Sequence, residues 1–151
     1  MPKPYRGGCR CGAVRYEIDA EPLFAGYCQC LDCQHETGGG HTRFMGFPSG
    51  ALDITGTLRF HEVIADSGSP IRRGFCPACG SSILGAPDEA YGVVVIRVGS
   101  LDDPADFSPQ FVCYASRGQA WDFLDPSLPR FDKLPPEDDG SPAPPECEVG
   151  S

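Results

Sequence analysis

No stretch of about 18 consecutive apolar residues occurs in the 151-residue chain, so a membrane-spanning helix is excluded. Runs of lysine or arginine are equally absent. A non-specific nucleic-acid binder needs basic charge to displace counterions, and here 12 basic residues face 21 acidic ones for a formal charge of −9. The opening residues MPKPYRGGCRCG hold no apolar core of a secretory signal, so a cytoplasmic, reducing location is expected. Helix-length amphipathic patterns are missing as well.

Cysteine, glycine and proline are what the sequence has in quantity. In a reducing compartment structural disulfides are rare, so nine cysteines point first to metal binding. The 19 glycines and 16 prolines punctuate short β-rich runs. These runs are AVRYEI (13–18), FAGYC (24–28), HTRFMGF (41–47), TLRFHEVIA (57–65), IRRGF (71–75), SSILGA (81–86), YGVVVIRVGSL (91–101) and QFVCYAS (110–116). VVVIRV reads as the most buried strand, and LDCQHETG (31–38) as one or two helical turns. The predicted fold is mainly β, a single domain of packed antiparallel sheets with a zinc knuckle. That domain spans residues 1–133. Residues 134–151 carry five acidic side chains, five prolines and no basic residue, so they read as a disordered tail. All 12 basic residues precede the tail, which leaves the body at −4.

Two cysteine constellations carry chemistry. In FCPACGSS, Pro77 fixes the turn and Gly80 permits positive φ beyond the second ligand, so Cys76 and Cys79 form a zinc knuckle. In GGCRCGAV, Cys9 and Cys11 share one face of an extended chain and can present two thiols to the same ion. Four cysteines make a closed, structural zinc site. The second constellation, CQCLDCQHETGGGH (28–41), supplies only Cys28, Cys30 and Cys33. Three thiolates and one zinc leave a net charge of −1 and a position for a thiol, which coordination ionises at neutral pH. Alternatively His35, His41 or Cys113 closes this site. The glycines after it, with Gly39 and Gly40, can bring backbone close to a ligand and form an anion-binding nest. His41 and His61 are expected at the surface, and Trp121 in the core.

In order, GGCRCGAVRY, CQCLDCQHETGGG and FCPACGSS resemble the glutathione-dependent formaldehyde-activating enzyme family, and SRGQAW…LDPSLPRFDKLPP is similar to its C-terminal ending. The likeness spans residues 7 to about 136. That family includes carbon–sulfur lyases of the S-(hydroxymethyl)glutathione synthase type and, more distantly, a domain of centromere protein V. The resemblance implies a β-tent, a structural zinc on Cys9, Cys11, Cys76 and Cys79, and an exchangeable zinc on Cys28, Cys30 and Cys33 as the catalytic site. The chain departs from many members at Val112, where a histidine is common, and at Ala120, where proline often precedes the tryptophan. The expected partner is a small molecule, glutathione or its adduct. Its carboxylates call for local cations, for which Arg43 and Arg117 are the candidates. Two functions follow: a zinc-dependent carbon–sulfur lyase acting through a zinc-bound thiolate, or a non-enzymatic zinc module that binds a thiol carrier or a protein. A thiol–disulfide oxidoreductase fits less well, because the βαβ context of its C-x-x-C is missing.

Overall fold

A computed structural model describes residues 4–65, 68–87 and 92–136. In chain order the strands are β1 (Tyr5–Gly8), β2 (Arg15–Ile18), β3 (Phe24–Cys28), β4 (Thr42–Pro48), β5 (Leu52–Thr55), β6 (Arg59–Ile64), β7 (Pro70–Phe75), β8 (Ser82–Pro87), β9 (Val93–Arg97) and β10 (Phe111–Cys113). One helix, α1 (Leu31–Thr37), follows β3. The chain is thus mainly β, in two sheets. The smaller is antiparallel with β2 between β1 and β5, and the larger runs β10-β3-β4-β9-β8-β7-β6. Its neighbours are antiparallel except β10, which lies parallel to β3 and pairs Cys113 with Cys28.

Each of the eight β-rich runs overlaps a strand. β1 and β5 escaped the sequence reading because YRGG and LDIT are too short for their alternation to stand out. VVVIR is buried on both faces, as expected of the most apolar strand. Successive side chains alternate across a strand. Val94 and Ile96 therefore enter a core shared with Tyr16, Ile18, Met45 and Phe47, while Val95 enters another. Burial of each large side chain in that first core stabilises the fold by about 1.5–3 kcal/mol.

The second core sits on the other face of the large sheet. Phe24, Phe44, Val95, Phe111 and Tyr114 surround Cys28, Cys30, Cys33 and Cys113 there. Leu134 packs against it, one residue past the boundary drawn from composition. From residue 137 onward the predicted acidic tail lies outside the described residues.

Candidate metal centres

The first cluster is built from two facing turns. Val14 N–H donates to Cys9 Sγ at 3.2 Å, and Cys9 N–H to Val14 O at 3.0 Å, so the C-x-C turn closes on itself. In the knuckle, Gly80 N–H returns to Cys76 O at 2.8 Å, with Gly80 at φ +77°, where a side chain would be strained. Ser81 ties the turns together: its hydroxyl accepts from Arg10 N–H at 3.0 Å and lies 3.2 Å from Cys79 Sγ. The sulfurs of Cys9 and Cys11 are 3.6 Å apart, and those of Cys11 and Cys76 3.7 Å. Sulfurs about 2.3 Å from one tetrahedral ion lie about 3.8 Å from each other. All four are mutually within 4.8 Å, so the cluster fits a metal ion with the donor set of zinc.

Proton affinities in this cluster are spread by its contacts. Hydrogen bonds from the Ser81 hydroxyl, then its N–H, pull the Cys79 thiol down to about 5. For Cys11 the N–H of Ala13 favours the thiolate, but the sulfurs of Cys9 and Cys79 outweigh it and push the thiol up to about 11. Burial opposes ionisation of Cys9, yet Val14 N–H and the sulfurs of Cys11 and Cys76 bring it below the ordinary thiol value. The contacts of Ser81 thus favour the thiolate form of Cys79, the form that ligates a metal.

The second cluster grows from the junction of β3 and α1. Cys28 ends the strand. Cys30 caps the helix, its Sγ accepting Cys33 N–H at 3.3 Å, and Cys33 follows in the first turn. The three sulfurs lie within 4.8 Å of one another. Cys28, Cys30 and Cys33 are 2%, 0% and 3% exposed, which makes the site a buried one. Among the described residues no further sulfur, imidazole nitrogen or carboxylate oxygen lies within 4.8 Å of all three. Neither His35, His41 nor Cys113 completes it. An all-cysteine donor set of three suits zinc with a position to spare.

A charged group unforeseen from the sequence stands against Cys33. Arg73, on β7, places Nη1 3.7 Å from Cys33 Sγ and 3.1 Å from Glu36 Oε1. Glu36, on α1, also accepts from Arg97 Nε at 2.9 Å and Nη2 at 3.1 Å. No local pattern marks this trio, because its members are 24 to 61 positions apart in the chain. A cavity of about 330 Å³ opens beside it, bounded by Asp32, His35, Glu36, His61 and Arg73, and reaching Gly80 of the knuckle. His61 faces solvent there, as expected.

On the other side of α1 the C-terminal segment crosses the site as a strap. Tyr114 starts it in the left-handed region, at φ +53° and 2% exposed, a strained conformation for a tyrosine. Gln34 Nε2 donates to Arg117 O at 2.9 Å and to Gln29 O at 2.8 Å. Asp122 accepts from Gln29 Nε2 at 3.0 Å and pairs with His41 Nδ1 at 2.8 Å. Two expectations are corrected here. His41 is not a surface residue: the strap leaves its side chain 11% exposed, with Nε2 buried and lacking a hydrogen-bond partner. Trp121 is not in the core. Asp122 turns inward, so its neighbours Trp121 and Phe123 turn outward, 63% and 89% exposed.

The remaining expected site residues divide. Arg117 is half-buried on the strap beside α1. Arg43 is exposed on β4 and pairs with Tyr27, so it lies on the sheet face opposite Cys28 and Thr42. Two of the glycine turn's N–H groups are spent internally. Gly38 N–H caps α1 on Gln34 O at 2.9 Å, and Gly39 N–H donates to Thr37 Oγ1 at 3.1 Å. A Cβ on Gly40 would come within 2.3 Å of the Asp122 carboxylate, so this glycine makes room for the strap.

Comparison with known proteins agrees with the motifs. A crystal structure of a Rhodobacter sphaeroides protein superposes with a TM-score of 0.52 at 21% identity, covering 67% of this chain and 93% of that one, which shows a shared fold. No curated protein matches significantly. The family model for the glutathione-dependent formaldehyde-activating enzyme matches residues 4–117, from β1 through both cysteine clusters to the start of the strap, and the chain belongs to that family.

Proposed function

We propose that this protein is a zinc-dependent carbon–sulfur lyase-type enzyme, forming or cleaving a glutathione adduct of formaldehyde or a related small electrophile. The observation that carries this reading is the cluster of three buried thiols with no fourth donor among the described residues. Cys28, Cys30 and Cys33 would hold the zinc, which would supply a Lewis-acidic position that favours ionisation of an incoming thiol at neutral pH. The chain's own residues prepare the reaction. The cap of α1 fixes Cys30 and Cys33, and Phe24, Phe44 and Phe111 exclude water from the sulfurs. In the forward direction the glutathione sulfur forms a bond to the carbonyl carbon. The carbonyl π pair moves to oxygen, which takes the proton the thiol gave up. Cleavage reverses these steps.

The cavity beside Arg73 has the lower-limit volume of a small-molecule site. Of the arginines expected to hold glutathione's carboxylates, Arg117 stays in the proposal: it is half-buried, and its backbone carbonyl accepts from Gln34 of α1. Arg43 leaves it, being on the opposite face of β4. Gly39 and Gly40 shape the turn.

The burial of all three thiols favours a second reading, a closed scaffold in a zinc-binding module for a thiol carrier or protein partner. Cobalt in place of zinc separates the two. Glutathione should change the thiolate absorption of the second site, whereas S-methylglutathione, which has no thiol to ionise, should not. Identical bands with and without glutathione would remove the open position and leave the scaffold.

A further inference from the structure

Arg73 touches the three-thiol cluster without belonging to it. Its guanidinium meets Cys33 Sγ, Glu36 Oε1 and, at 3.9 Å, Asp32 Oδ2, and its side chain is 10% exposed. Glu36 and Arg97 are each 11% exposed, whereas Asp32 sits nearer the rim at 30%. A guanidinium this far from water requires anionic partners held in good geometry. Within the buried trio Arg73 and Arg97 carry one positive charge more than Glu36 neutralises, and Asp32, partly exposed at 3.9 Å, is screened by water and offsets only part of it. Three thiolates and a divalent ion carry one negative charge in excess. The aromatic walls of the second core cannot solvate that excess, and the guanidinium adjacent to Cys33 can.

We propose that Arg73, held in place by Glu36, is a positioning residue that serves as the counter-charge of the Cys28–Cys30–Cys33 site. This rests on the reading that the three thiols hold a metal. Residues that hydrogen-bond metal ligands orient them and tune the site, typically by about 10- to 100-fold in metal affinity. Arg73 also links the two centres along the chain, because β7 runs from it through a register shift at Gly74/Phe75 directly into Cys76.

The test uses the full-length, metal-loaded protein and follows metal release to a chelator, with the four-cysteine site as internal control. Arg73→Met keeps most of the stem and removes the charge. It should release metal from the second site about 10- to 100-fold faster and leave the first unchanged. Arg73→Lys should recover most of the loss. Glu36→Gln separates charge from packing: it removes the carboxylate that holds Arg73 but leaves the guanidinium charge, so it should release metal from the second site faster than wild type and more slowly than Arg73→Met. A packing role instead makes Glu36→Gln as damaging as Arg73→Met. The proposal is overturned if Arg73→Met releases metal at the wild-type rate, if Met and Lys behave alike, or if Met and Gln loosen the site equally. If the wild-type cobalt spectrum ignores 2-mercaptoethanol, the catalytic reading falls, and the release rates still decide the role of Arg73.

Discussion

Asp122 is one carboxylate on which separate parts of the chain converge. Gln29, at the β3–α1 junction, and His41, at the start of β4, both bind it, and Gly40 packs against it. Its side chain is 9% exposed, so removing it strands a buried amide and a buried imidazole. Leaving such donors unsatisfied costs about 1–3 kcal/mol. Asp122→Ala should therefore lower the thermal midpoint distinctly, while Trp121→Ala, 63% exposed one position earlier, should change it little. Differential scanning calorimetry of the two variants checks this, and equal losses would mean that the tryptophan is buried after all. Arg73 makes the same point about residues. Its importance comes from the sulfur and carboxylate it meets, not from its place in IRRGF.

At the scale of elements, α1 and the knuckle do different work. α1 has only seven residues, too few to stand alone, and is held by the strap, by Glu36 and by its own capped start. Serine caps helices well, so Cys30→Ser should keep α1, the sheets and the first metal. We expect about one zinc per chain in that variant and the loss of any thiol-dependent activity. The knuckle joins residues 76–81 to residues 9–14 and so pins β1 and β2 to the end of β7. Structural zinc contributes on the order of 10 kcal/mol to folding. Cys76→Ser should therefore give unfolded or insoluble protein. Metal analysis with circular dichroism distinguishes the pair, and a folded Cys76→Ser variant with an unchanged melting curve contradicts a structural role.

For the molecule as a whole, the two centres lie on one framework. The large sheet carries Cys28 on β3, Arg97 on β9 and Arg73 on β7, while the Cys9–Cys11 turn joins β1 to β2 of the small sheet. Both terminal regions of the described chain are tied in: β1 pairs β2, and Phe131 N–H donates to Val112 O at 2.9 Å. Residues 137–151 carry five acidic side chains and no basic one, and lie outside the described residues. Truncation after Pro136 should leave zinc content and the thermal midpoint within error, and a marked fall in either would show that this segment stabilises the body.

The sequence by itself determined what depends on short spacings. Two ligands at i and i+2, or at i and i+3 around a turn, are brought together by local backbone geometry, so C-R-C, C-Q-C-L-D-C and C-P-A-C announced their clusters. Alternating and apolar runs announced the strands in the same way, VVVIR above all. Only the tertiary structure decided which polar residues meet. Glu36 with Arg73 and Arg97, and Asp122 with Gln29 and His41, are contacts across 37, 61, 93 and 81 positions. No local periodicity specifies such pairs; they follow from sheet order and from the path of the strap. The same cause sent Arg43 to the far face of β4 and turned Trp121 to solvent: a side chain's direction is set by the partner that its neighbours find, and those partners are distant in the chain.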